Sequence, residues 1–182
     1  MMSAVETREF PPGDESVRAF LERHLAALVA RRGELLDATA RPAVVAFAPG
    51  GGPDRDIAGV LTYDVAGPEC EILTLHAASQ WGGAGTALVR AVQVIAARAG
   101  CHTLWVLTTN DNVDALRFYQ RRGFRLSALR PGAVDEARRT LKPQIPLTGS
   151  YGIPLRDEVE LSQPVVAAAP DAAAPASTPR TS

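Results

Sequence analysis

Metal-binding and redox side chains are scarce in this chain. Cys70 and Cys101 are its only cysteines, and His24, His76 and His102 its only histidines. Neither set has the number or spacing of a disulfide framework or a zinc site. Both cysteines lie in or beside apolar runs, where a reduced, packed thiol is expected. Basic runs are also missing. The 19 Lys and Arg side chains are balanced by 20 Asp and Glu, a net charge of -1. That excludes the electrostatic footprint of a nucleic-acid binder. No window has the uninterrupted apolar length of a membrane helix, and the N-terminus lacks the apolar segment of a signal peptide. A soluble, cytoplasmic protein with no membrane or nucleic-acid partner is the expectation.

What is present is one core's worth of apolar sequence: 46% hydrophobic content over 182 residues. This suffices for a single ordinary domain. From residue 163 the composition shifts to Ala, Pro, Ser and Thr, which cannot bury enough surface to order itself. A domain over 1–163 and a disordered tail over 164–182 are therefore expected. Along the domain, residues 5–10 read as a strand stopped by Pro11-Pro12-Gly13. Asp14 or Ser16 can cap a helix in which Val17, Phe20, Leu21, His24, Leu25 and Leu28 form one stripe. Strands follow at 43–48, 57–65 and 69–77. A helix starts at Gly83 or Ala84 and runs to Ala99, with Gly100 ending it. The rest reads as a strand at 103–109, a helix at 113–122, a strand at 124–129, a short helix at 133–141 and a last strand at 159–165. Strands first, then β-α-β-α-β, predict a mixed α/β sheet with helices on its faces.

Chemistry is concentrated in two segments. The first runs from the 69–77 strand through Gln80-Trp81-Gly82-Gly83-Ala84-Gly85 into a helix. A helix N-terminus offers unpaired backbone N–H groups and a partial positive charge. Glycines let a phosphate approach them closely. This is a pyrophosphate cradle or a tight turn that binds nothing. It is not a P-loop, because no Lys-Ser/Thr follows the glycines, and its spacing is not the dinucleotide G-x-G-x-x-G. In the second segment Asn112 is a good N-cap, Ala115 and Tyr119 share a helix face, and Gly123 ends the helix. Phe118 reads as core.

Together, Gln80-x-x-Gly83-x-Gly85 and Asn112-x-x-Ala115-x-x-Phe118-Tyr119-x-x-x-Gly123-Phe124 resemble the two signature segments of the GNAT (GCN5-related) N-acetyltransferase superfamily. The resemblance covers residues 43–130 well, and residues 1–42 by pattern. Arg138 to Pro146 and Gly152 to Glu160 resemble the C-terminal part of an uncharacterised bacterial subgroup. The resemblance implies a GNAT fold, an α/β (α+β) arrangement with a mixed, mostly antiparallel sheet of about six to seven strands and helices on both faces. It implies acetyl-CoA as co-substrate, a primary amine of a small molecule or protein as acceptor, and direct attack in a ternary complex. No metal is implied. The coenzyme would be held by Gln80, Trp81, Gly82, Gly83, Ala84, Gly85 and Thr86, by Asn112 and Ala115, and by backbone N–H groups near Leu75 and Ala77.

By the same resemblance Tyr119 protonates the departing thiolate, and Glu71 stands where some members carry a catalytic glutamate. An exposed strand Glu is the plainer reading of Glu71. His76, at the strand's end, is base, acceptor contact or bystander. His24 and His102 read as structural, and Trp81 shields the cofactor or caps the helix. Arg156, Asp157 and Glu158 form an ordinary charged cluster or hold a polar acceptor. The 133–141 helix, with Arg138 and Arg139, could close over the same site. A homodimer is compatible with the sequence. The competing function is a GNAT-fold module that binds acyl-CoA as a sensor without catalysis, and Tyr119 argues against it.

Overall fold

The computed structural model describes residues 5–48, 56–78 and 82–166. Seven strands form one sheet: β1 (Glu6–Phe10), β4 (Ala43–Phe47), β5 (Ile57–Ala66), β6 (Glu69–Ala77), β7 (Thr103–Thr109), β8 (Arg125–Arg130) and β9 (Glu158–Pro164). Their order across the sheet is β1-β4-β5-β6-β7-β9-β8. Every pairing is antiparallel except β6 with β7. The last strand in sequence thus inserts between β7 and β8. A two-stranded hairpin, β2 (Leu28–Arg31) with β3 (Glu34–Asp37), stands apart. Four α-helices complete the fold: α1 (Glu15–Arg23), α2 (Ala84–Arg98), α3 (Val113–Gln120) and α4 (Ala133–Thr140). The mixed, mostly antiparallel sheet agrees with the sequence expectation. The expected tail lies outside the described residues beyond Val166, and Pro164 still belongs to β9.

Strand alternation gives the sheet two faces. On one, α2 lays Leu88, Val89, Val92 and Ala96 over Val44, Leu61, Ile72, Leu104 and Leu161, all essentially excluded from solvent. On the other, α1 contributes Val17, Phe20 and Leu21 against Val45 and Val60. Asp14 caps α1, accepting the N–H groups of Ser16 and Val17.

The expected apolar stripe breaks after Leu21. The helix ends at Arg23, Leu25 takes a left-handed φ of 54° and is 88% exposed, and Leu28 enters β2. Leu25 and Ala26 donate their N–H groups to Glu22 and Leu21, which satisfies the helix end without a glycine. Periodicity also missed the hairpin. Its turn, Arg32-Gly33, has positive φ at both residues (48° and 78°), the primed geometry that suits a two-residue hairpin, though with Arg where Asn or Asp is usual.

Candidate active site

The ladder between β6 and β7 is short. It joins Glu69–Ile72 to Thr103–Val106 and then lapses. Beyond it β6 stays with β5 as far as Ala77, and β7 stays with β9 as far as Thr109. The two parallel strands therefore part at their C-terminal ends. Gly59 allows β5 to follow the departing strand: a Cβ there would lie 2.8 Å from the His76 carbonyl oxygen. A cavity of about 880 Å³ occupies this end of the sheet, between β6, α2 and α3.

Each wall follows from local sequence. Gly83 caps α2 in the left-handed region (φ 81°), which a side chain would resist. The first N–H groups of α2 have no partner within the helix. Gly85 brings α2 against α3, where an added Cβ would sit 3.1 Å from the Phe118 ring. Asn112 caps α3, its Oδ1 accepting the Ala115 N–H at 3.1 Å. Tyr119 is wedged edge-on between Phe118 and Phe124, with centroids 5.1 and 5.2 Å away. It is 5% exposed, and burial drives its phenol well above the usual range, so it stays protonated at neutral pH.

The structure brings most of the sequence candidates together. Leu75, Ala77, Gly82, Gly83, Gly85, Thr86, Asn112, Ala115 and Tyr119 all line this cavity, and so does His76. Ala84 does not; it is buried in the core under α2. Gln80 and Trp81 lie outside the described residues. Four arginines that the sequence reading passed over also line it: Arg90, Arg117, Arg121 and Arg122. Arg117 and Arg121 are one helical turn apart, a spacing that could have revealed them. Arg122 stacks on Phe118, 3.5 Å from the ring centroid, and donates to the Thr86 hydroxyl and the Phe118 carbonyl.

Glu71 lies elsewhere. It points to the opposite face of β6, is 5% exposed, and pairs with Arg31 Nη2 at 2.8 Å. Burial pushes its carboxyl up to about 7, against the pull of Arg31 and Arg32. Its neighbour on β7 is Trp105, over which Arg32 stacks at 3.9 Å. His76 stacks with His24 at 6.0 Å, and burial first, then His24, pulls its imidazole below the ordinary value. The charged trio at 156–158 divides its work. The Arg156 and Asp157 N–H groups donate to Asn110 Oδ1, Asp157 accepts the Gly132 N–H where α4 begins, and Glu158 is buried. Arg138 ties down the carbonyls of Ile145, Pro146 and Leu155, and Arg139 pairs with Glu136. Among the described residues no helix is long and apolar enough to cross a membrane, and no cluster of His, Cys, Asp and Glu could hold a metal.

Known proteins are similar to this chain in sequence and in fold. The uncharacterized protein YdhI of Bacillus subtilis is 44% identical over 108 residues, which is 59% of this chain and 67% of that protein. An IAA acetyltransferase from Bacillus cereus superposes with a TM-score of 0.66 at 22% identity, over 88% of this chain and 99% of its own. A Bacillus subtilis acetyltransferase in complex with CoA gives 0.63 at 19% identity, over 90% of this chain and all of its own. Residues 5–124, which hold the parted strands and both signature segments, match the family described as Acetyltransferase (GNAT) family, so the chain belongs to that family.

Proposed function

We propose that this protein is an N-acetyltransferase that moves an acetyl group from acetyl-CoA to a primary amine by direct attack in a ternary complex. The observation that carries the reading is the cavity itself. It joins the parting of β6 and β7, the free N-terminus of α2 and the buried Tyr119 in one space. The similar Bacillus subtilis acetyltransferase holds CoA. Here the α2 N–H groups and the arginines suit a pyrophosphate and a further phosphate. The thioester would lie along β6 beyond Ile72, where the backbone has lost its β7 partner and can polarise a carbonyl.

The amine nitrogen attacks the thioester carbon, the new C–N bond forms and the C–S bond breaks. One proton must leave the amine and one must reach the sulfur. Tyr119, protonated and lining the cavity, serves the sulfur, at roughly 10²–10⁴-fold in rate. Glu71 serves the amine. Its raised carboxyl suits a base near neutrality, although it sits across the strand and is held by Arg31. His76 is the nearer neutral base and makes Glu71→Gln the informative variant. Thiol release measured over a panel of amines, with CoA affinity measured separately by calorimetry, tests the reading. Tight CoA binding without turnover on any amine would replace it with an acyl-CoA sensor.

A further inference from the structure

A second cavity, of about 340 Å³, lies on the face of the sheet that carries Glu71, between the hairpin turn, β8, β9 and α4. Glu158 lines it and is only 4% exposed. Among the described residues its carboxylate makes no ion pair within 4.0 Å. Its hydrogen bond is a long one, 3.4 Å from the Arg32 backbone N–H. The nearby cations are committed elsewhere: Arg32 and Arg130 both pair with Glu160. Burial accordingly pushes the Glu158 carboxyl up. Arg130 faces Glu158 across the β8–β9 ladder. One of its nitrogens, Nη2, reaches Glu160 at 3.0 Å, while Nη1 is buried with no partner.

Glu158 and Arg130 thus line one cavity without meeting, the first with no ion pair and the second with one guanidinium nitrogen buried and unpartnered. Buried polar groups are normally satisfied, and exceptions need a cause. With Glu160 counted, and with Glu136 of the lining paired to Arg139, the three arginines and three glutamates cancel. A ligand that completes both groups and keeps this balance is itself neutral overall, with an ammonium and a carboxylate. The small side chains of Ala133 and Ala137 leave room for an aliphatic stem. The cavity is also at the right end of the sheet, since Glu158 pairs with Thr109, the last residue of β7, where β6 has already parted.

We propose that this cavity recognises the zwitterionic head of a free α-amino acid, with Glu158 taking the ammonium group and Arg130 Nη1 the carboxylate. Resting on the acetyltransferase reading, the acceptor is then a free diamino acid acetylated on its side-chain amine. A lysine within a protein has amides in place of both head groups. The transfer is the one balanced above: the side-chain nitrogen gains the acetyl carbon, loses one proton to the base, and the thiolate leaves and is protonated.

Calorimetry on the full chain saturated with CoA tests the head site without turnover. The probe is L-norleucine, compared with pentylamine, which lacks the carboxylate, and hexanoate, which lacks the ammonium group. Norleucine should bind at least tenfold more tightly than either. Glu158→Gln and Arg130→Gln should each weaken it at least tenfold, with CoA affinity unchanged. If either variant fails to fold, Arg130→Lys, which keeps the charge and loses the fork, should still weaken norleucine. Equal affinities for the three probes, or norleucine binding indifferent to the folded variants, overturns the proposal and leaves the acetyltransferase reading standing. Norleucine binding with no thiol release from L-lysine or L-ornithine keeps the head site and overturns the diamino acid as acceptor. Faster thiol release from Nα-acetyl-L-lysine amide than from L-lysine also overturns the proposal.

Discussion

The two faces of the central sheet come from alternate residues of the same strands, yet they are unlike. Toward α2, β6, β7 and β9 present Cys70, Ile72, Leu104, Val106 and Leu161, an apolar surface closed by one long helix. Toward the hairpin, the same strands present Glu71, Trp105, Glu158 and Glu160, met by Arg31, Arg32 and Arg130. One face is filled by dispersion and burial along α2 and opens only at the larger cavity, where β6 and β7 part. The other buries charge, which is costly unless every group is paired, and it leaves Glu158 and Arg130 Nη1 unpaired. A rigid apolar face is suited to fixing helices around a common coenzyme. A charged and unfinished face is suited to choosing among acceptors.

The sharpest break in this comparison should come from the apolar face. Leu88 is fully buried between α2 and the sheet and touches the Gly59 position where β5 follows β6. Leu88→Ala should cost ~2–5 kcal/mol by removing buried methyl groups and leaving a cavity, read as a lowered melting temperature or denaturant midpoint. Retained stability would mean that the helix does not brace the sheet.

Next comes the chemistry that this face carries. Tyr119→Phe keeps the ring between Phe118 and Phe124 and removes only the hydroxyl. With a confirmed acceptor and chemistry as the slow step, kcat should fall ~10²-fold while CoA affinity stays nearly constant. Turnover within twofold of the parent would leave Tyr119 as packing. A smaller effect should follow from Gly85→Val. Its Cβ would press on the Phe118 ring at 3.1 Å, displacing α3 and reshaping the cavity wall. CoA binding should weaken at least tenfold, ~1.4 kcal/mol, in calorimetry.

Sequence alone revealed one face far better than the other, for a physical reason. Apolar periodicity and glycine caps are local. They placed β6 and β7 to the residue, the start of α2 at Gly83 or Ala84, and the Asn112 cap. The cavity residues from β6, α2 and α3 follow from those elements. Charged pairs between distant segments leave no such trace. Arg31 meets Glu71 forty residues away, and Arg32 meets Glu160 from the far end of the domain. The hairpin that delivers both arginines has four-residue strands and an Arg-Gly turn, too short and too atypical to stand out. Nor does order along the chain reveal that β9 slides between β7 and β8, which sets Glu158 beside Arg130.

The smallest expected effect sharpens the charged face through pH. In the folded protein the Glu71 carboxyl is pushed up to about 7, mainly by burial, from an ordinary value near 4.5. The folded state therefore binds a proton that the unfolded chain has already released between those two values. Stability should fall as pH rises through that window and level off above it, because ionisation is penalised only in the folded state. Glu71→Gln fixes the neutral form, so the stability of this variant should lose that part of its slope between about pH 4.5 and 7. Denaturant titrations at several pH values measure it, and parallel curves for the two proteins would mean that Arg31 holds the carboxylate ionised throughout. The same variant separates the two candidate bases. If Glu71 takes the amine proton, kcat/KM of the parent should rise with pH through about 7, and Glu71→Gln should lose that limb. If the limb persists at unchanged height, Glu71 is not the base, and the buried carboxylate serves to hold the hairpin through Arg31. A limb below the ordinary imidazole range would point instead to His76, which lines the larger cavity from the end of the same strand.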